Sequence, residues 1–221
     1  GANVAVYTQL DAQILKRLKL SSGIRWETNT LNGELYYSLP VVRTGINYQA
    51  SPATFLRASF GQGYRFPSIA EKFVDAHLSS IRIFPNPDLE AEHGWSAELG
   101  IRQEFRAGPL RAYADLALFW TRYRDMIEYT FGYFPPENPT RPPFEYVGFK
   151  TLNVASARIA GSEITLNGKM ELGKAVLTLQ AGYTFMDPVD PVLLDSIVRT
   201  EDESWVLNYR RSHLLKGDLE A

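Results

Sequence analysis

The residues able to do chemistry in this chain are charged side chains set at alternate positions. Asp11, Arg25, Glu27, Arg43, Arg57, Glu98, Arg102, Arg111 and Asp115 each fall on the polar side of a strand-like run. Such charges cost little on a wet surface, and no catalytic constellation accompanies them. His77, His93 and His213 are far apart and lack metal-like spacing. There is no cysteine, which rules out a thiolate metal site and a disulfide scaffold. Gly61 and Gly63 alternate on one face, but a phosphate cradle needs a strand, a glycine turn and a helix, and the helix is missing. No catalytic residue, metal or cofactor is expected.

A second group of candidates lies in the loops. Tyr129, Phe131, Tyr133, Phe134 and Phe144 surround five prolines between Pro135 and Pro143. Exposed as a cluster they would be costly, so they either pack on neighbouring loops or stack on a ligand. Arg65, Arg82, the pair Glu71-Lys72 and the acidic run Glu201-Asp202-Glu203 are loop charges that either contact a ligand or are solvated.

Period-two alternation defines the elements that carry these residues. It predicts nine strands, at 3–14, 18–28, 41–50, 54–64, 90–104, 110–124, 146–169 and 174–186, with the last beginning near Ser212. In the sixth, Leu110, Ala112, Ala114, Leu116, Leu118 and Trp120 form one row, opposite Arg111, Tyr113, Asp115, Phe119 and Thr121. The connections alternate short and long, with long ones at 29–39, 65–89, 125–145 and 187–211. One or two helical turns are expected at 69–76. All thirteen prolines are expected in connections or, for Pro40, at a strand start.

In an antiparallel meander such a rhythm trims one end of the sheet and elaborates the other. Outer-membrane barrels have this polarity. Charges facing lipid would cost roughly 2–4 kcal/mol each for Arg or Lys at the midplane. The apolar rows are therefore expected to face lipid, and Arg43, Arg57, Glu98, Arg102 and Asp115 a wet lumen. Trp26, Tyr48, Trp95 and Trp120 are placed at strand ends, where an interfacial girdle belongs.

Composition agrees. A net charge of −2 over 221 residues does not mark a nucleic-acid binder. No run approaches the roughly 18 apolar residues of a membrane helix, and aromatic residues reach 13%. The chain starts directly in a strand pattern without a basic, then apolar leader. It is therefore expected to be either numbered from the mature terminus or cut from a longer chain. The competing readings are a passive porin or adhesin barrel and a soluble β-sheet module.

Several segments resemble TonB-dependent outer-membrane receptors. Phe60-Gly61-Gln62-Gly63-Tyr64-Arg65-Phe66-Pro67-Ser68-Ile69-Ala70-Glu71-Lys72-Phe73 is similar to the family's strand-to-loop passage. Asn86-Pro87-Asp88-Leu89-Glu90-Ala91-Glu92 is similar to its Asn-Pro-x-Leu-x-Pro-Glu pattern, with Ala91 where proline is usual. Leu118–Ile127, the run from Asn153 through Ala157 and Gly161 to Glu163, and Tyr209–His213 resemble three further patterns, all in family order.

The resemblance implies an all-β antiparallel meander within a 22-stranded transmembrane barrel, filled by a plug domain that this sequence does not contain. Residues 1–221 would be a fragment from the second half of that barrel. The implied function is energy-coupled uptake of a scarce ligand across the outer membrane of a Gram-negative bacterium, with a ferric siderophore expected first. The implied partners are that small-molecule ligand, outer-membrane lipid and, through the plug, TonB, but no nucleic acid.

Overall fold

The structure, a computed structural model, describes residues 2–31, 34–78, 81–173, 175–189 and 211–220. Its elements in chain order are β1 (Ala2–Leu15), β2 (Leu18–Leu31), β3 (Glu34–Ser51), β4 (Thr54–Arg65), α1 (Ile69–Phe73), β5 (Ala76–Leu78), β6 (Ile81–Phe84), β7 (Glu92–Ala107), β8 (Leu110–Tyr133), a 3-10 turn (Pro143–Tyr146), β9 (Val147–Leu172), β10 (Ala175–Val189) and β11 (His213–Glu220). Nine strands follow one another across the sheet in the order β1-β2-β3-β4-β7-β8-β9-β10-β11. This is the meander the alternation predicts. The short strands β5 and β6 lie off that path: β6 pairs with β5 and runs parallel to β9.

The register keeps the two kinds of row apart, because directly opposed residues share a face. Ala12, Leu20, Ile46 and Ala58 align across β1 to β4, and Leu18, Tyr48 and Leu56 form the next rung. On the other face, Gln9, Gly23, Arg43 and Gly61 align, as do Gln13, Lys19, Asn47 and Arg57. The same separation holds where Leu179 stands between Gly168 and Leu219 and Tyr183 between Ile164 and Leu215. Large apolar side chains from every strand of the meander are exposed, among them Val6, Leu10, Trp26, Ile46, Leu99, Leu118, Leu166 and Leu215. A water-soluble sheet buries such a row; here it is exposed.

The chain divides into two compact units. One comprises Gly1–Gln62, Trp95–Arg122 and Arg158–Ala221, and the other Gly63–Gly94 and Tyr123–Ala157. The first holds most of the ladder. The second holds α1, β5, β6 and the proline-rich turn, with Leu89, Tyr146, Thr151 and Ala157 buried in it.

Four expectations are corrected. The connection at 29–39 is not long: β2 runs to Leu31 and β3 starts at Glu34. Asn32-Gly33, a strong hairpin signal, falls between two strands that pair along their length. The short-long rhythm therefore does not hold at this connection. Second, β8 continues nine residues beyond Arg124, to Tyr133, because its alternation resumes one position out of step. Third, Pro40 and Pro188 lie inside strands, opposite Trp26 and Ile159. Pro40 sits beyond the last described β3–β4 pair, Arg43 with Gly61. Fourth, Trp26 and Trp120 stand within strands, since β2 and β8 outrun them. The loop expected at 187–211 begins as the end of β10, and its residues 190–210, with the acidic run, lie outside the described residues. The helical turn at α1 and the strand after Ser212 match expectation.

Gly161 has a packing reason. A Cβ there would run into the Phe185 carbonyl oxygen and come within 2.5 Å of Phe119 Cζ. The backbone of β10 and the Phe119 ring occupy the space a side chain would need. Gly63 faces open space. Gly161→Ala should therefore lower barrel stability by about 1–3 kcal/mol through overpacking, whereas Gly63→Ala should leave it nearly unchanged. Urea unfolding of the detergent-refolded protein would read the difference, and equal midpoints for the two variants would refute this account.

Candidate functional site

Two groups of polar side chains are organised, one in each unit. In the first unit Arg57 on β4 is the centre. Its Nε donates to Glu98 Oε1 at 2.9 Å, and its Nη1 lies 2.7 Å from Asp115 Oδ1. Arg102 Nε donates to Asp115 Oδ2 at 2.8 Å, and the Arg102 guanidinium stacks 4.6 Å from the Tyr113 ring. Period two puts Glu98, Gly100 and Arg102 on one side of β7. Gly100 leaves the gap that Arg57 fills: a Cβ there would lie 2.5 Å from Arg57 Cζ. Asp115 is buried under the two guanidiniums. Of the expected polar row, the structure thus joins Arg57, Glu98, Arg102 and Asp115. Arg43 stands apart, exposed between Gly23 and Gly61, and no ion pair holds it among the described residues.

The second group fastens the loops. Ser68 caps α1 by accepting from the Glu71 amide, and the Glu71 carboxylate accepts from the Ser68 amide at 2.7 Å, a capping box. Arg65 bridges Glu71 (3.0 Å) and Glu92 (2.6 Å), and Glu92 also accepts from the Ile127 amide. Lys72 Nζ donates to the Leu89 carbonyl at 2.9 Å. Asn86 Nδ2 donates to the Thr151 carbonyl at 2.8 Å, while its own amide donates to the Lys72 carbonyl. Asn153 grips Glu90 twice, accepting from its amide at 2.9 Å and donating to its carbonyl at 3.0 Å, and also donates to the Asp125 carbonyl at 2.8 Å. Next to this knot β6 lies so close to β9 that a Cβ on Gly148 would collide with the Arg82 carbonyl.

The expected loop candidates divide accordingly. Arg65 is held by two carboxylates, and Arg82 is paired with Asp75 at 2.6 Å and stacks on Phe84. The aromatic residues pack in part on neighbours: Phe131 against Phe149 (5.1 Å), Tyr133 against Tyr146 (6.3 Å), and Phe134 against Phe84 (5.8 Å). Tyr129, Phe131 and Tyr133 nonetheless remain exposed. His77, His93 and His213 stand on β5, β7 and β11, and no group of metal-ligating side chains occurs among the described residues.

Glu92, Asn86 and Asn153 escaped sequence reasoning as functional residues. Their signal was present only as spaced patterns, Asn-Pro-x-Leu and Asn-x-x-x-Ala-x-x-x-Gly. The structure gives those patterns a cause, in side chains that satisfy loop backbone, a buried alanine at Ala157 and the close approach at Gly161.

Comparison with known proteins agrees with this architecture. The family model described as TonB dependent receptor-like, beta-barrel matches residues 1–210, and the chain belongs to that family. Hemoglobin-haptoglobin utilization protein B of Neisseria meningitidis serogroup C is 28% identical over 138 residues, which is 62% of this chain and 16% of that protein. The fold matches the ferric enterobactin receptor of Pseudomonas aeruginosa with a TM-score of 0.65 at 18% identity, covering 83% of this chain and 26% of the receptor. It matches the ferripyoverdine receptor of the same organism with a TM-score of 0.63 at 20% identity, covering 98% and 25%. The chain therefore spans about a sixth of its curated relative and about a quarter of the solved receptors. Such barrels reside in the outer membrane of Gram-negative cells, and the exposed apolar rows fit that location.

The cap of α1 is sensitive to acid. Burial alone would raise the Glu71 carboxyl; hydrogen bonds from the Ser68 amide, Arg65 and the Ser68 hydroxyl outweigh it and hold the group below its ordinary value. A lowered folded-state pKa stabilises above the unfolded value, near 4.3, and that stabilisation fades as pH falls through the folded value. Amide protection at Lys72 and Val74, corrected for intrinsic exchange, should drop between neutral pH and about pH 3. In Glu71→Gln the drop should be much smaller, and an unchanged pH profile in that variant would count against the cap.

Proposed function

We propose that this chain is part of the wall of a 22-stranded, plug-containing outer-membrane receptor that imports an iron-bearing ligand, a ferric siderophore first. In this reading energy reaches the barrel through a plug domain that engages TonB. Arg43, Arg57, Glu98, Arg102 and Asp115 line the wet lumen, because the opposite rows are apolar and exposed. The carrying observation is that separation of faces over nine successive strands, combined with a loop base built by dedicated side chains. A surface that only anchors an adhesin, or a passive pore, gives no reason to fasten 65–92 to β8 and β9 so thoroughly.

Ligand contact falls to Tyr129, Phe131, Tyr133 and Phe134, while Arg65 and Arg82, held by carboxylates, keep the loops in place beneath it. β8 and β9 support this placement. They have 24 and 26 residues, against the roughly 9–11 needed to cross a bilayer as tilted strands. Their surplus carries the aromatic row clear of the hydrocarbon.

A second reading, uptake of haem iron from a host protein, is favoured by the name of the Neisseria relative. The two separate in one experiment. A strain lacking its own receptors, carrying the intact receptor, would be grown with ferric enterobactin, ferripyoverdine or haemoglobin–haptoglobin as sole iron source. Growth on a siderophore supports the first reading and growth on haemoglobin–haptoglobin alone the second; growth on none of them refutes iron uptake from these sources. Replacing Tyr129, Phe131 and Tyr133 together by Ser should weaken binding of the productive ligand by about tenfold or more, roughly 1.4 kcal/mol or above, with barrel folding intact. Unchanged affinity would remove these residues from the site.

A further inference from the structure

Asp125 has a backbone φ of +56°, and no other described non-glycine residue has a positive φ. It lies inside β8. A left-handed residue within a strand fits one form of bulge, which inserts one residue and displaces the alternation by one. The exposures along β8 follow that displacement. Before Asp125 the exposed apolar row is even-numbered from Leu116 at 42% through Leu118 at 54% to Trp120 at 45%, and Tyr123 at 41% is the first exposed odd-numbered aromatic. After Asp125 the exposed aromatics are odd-numbered: Tyr129 at 51%, Phe131 at 57% and Tyr133 at 53%, with Thr130 and Gly132 half-buried. Had the even phase continued, Thr130 and Gly132 would be displayed instead; Glu128 is exposed as it stands.

Side chains from other segments hold this irregularity. Asn153 Nδ2 donates to the Asp125 carbonyl at 2.8 Å, Glu92 accepts from the Ile127 amide at 3.1 Å, and His93 Nδ1 lies 3.5 Å from the Asp125 carboxylate. Aspartate tolerates the left-handed region but does not favour it. Asn153 is itself fixed, because it grips Glu90 through both amide and carbonyl.

We propose that Asp125 and Asn153 form a phase lock: they are positioning residues that decide which side chains the outer part of β8 displays, and so present the aromatic row rather than Thr130 and Gly132. The lock rests on the ligand reading above only for its functional consequence. The phase itself can be read without any ligand. The chain has no cysteine, so single cysteines at Tyr129, Thr130 and Phe131, in an otherwise cysteine-free intact receptor on cells, report accessibility to a membrane-impermeant maleimide.

Cysteines at 129 and 131 should label several-fold faster than at 130. Asn153→Ala should erase or invert that contrast while heat-modifiable migration still shows a folded barrel. Adding Asp125→Gly should restore it, because glycine takes a positive φ without help. Asp125→Val alone should abolish it, because a β-branched residue resists that conformation. A folded Asn153→Ala receptor that keeps the contrast overturns the lock. If Asn153→Ala does not fold, the single Asp125 variants decide: contrast kept in Gly and lost in Val supports the lock, and any other pattern overturns it. Ferric enterobactin and haemoglobin–haptoglobin binding to the same variants is scored separately. A lost contrast with unchanged binding supports the lock and defeats the ligand role given to the aromatic row.

Discussion

The antiparallel ladder is the constraint on which the rest depends. Inside a bilayer no water is available for backbone amides and carbonyls, so each strand must find partners in its neighbours. Once it does, the pleat sends alternate side chains to opposite faces, and a slip of one residue would exchange them. Ile46 opposite Leu20 and Ala58, and Arg43 opposite Gly23 and Gly61, are two readings of one register. The ion-paired group around Arg57 follows from it. Glu98 and Arg102 reach the same side of β7 because they are four residues apart, and Gly100 between them leaves room for the guanidinium. Those charges meet in pairs on one face of the ladder.

The second unit is held together differently. It holds most of the buried residues described, Phe84, Leu89, Ala91, Tyr146 and Ala157 among them, and side chains that satisfy loop backbone join its segments: Lys72 on Leu89, Asn86 on Thr151, Asn153 on Glu90 and Asp125. Loops carry many backbone groups without ladder partners, and buried ones must be satisfied individually. Asparagine suits this task because one amide both donates and accepts. The parallel pairing of β6 with β9 adds a strand where the meander has none, and Gly148 permits the approach. A loop surface built in this way can be rigid without a large apolar core.

How far the sequence could be read follows from these two regimes. Period-two rows located all nine strands of the meander, because the ladder imposes the same rule on every residue. Reading failed where a local feature breaks that rule. Alternation is weak around 29–39, which reads as a long connection, although residues up to Leu31 and from Glu34 belong to strands. Tyr129, Phe131 and Tyr133 read as loop from the five prolines that follow them, whereas β8 continues to Tyr133. Arg65 looked like a free loop cation, and only its neighbours Glu71 and Glu92, 6 and 27 residues away, reveal that it is engaged.

The sequence by itself determined the two faces, the strand count of the meander and the membrane setting, since these depend on spacing within single strands and on the cost of charge in lipid. Its motif chain also carried the family. The tertiary structure alone decided which charges pair, why Gly100, Gly148 and Gly161 must be glycine, and that Asn86 and Asn153 anchor the loops. Those facts depend on contacts between residues distant in the chain, whose separation no local period encodes. The polar row read off at the outset thus became a paired cluster with Arg43 standing apart from it.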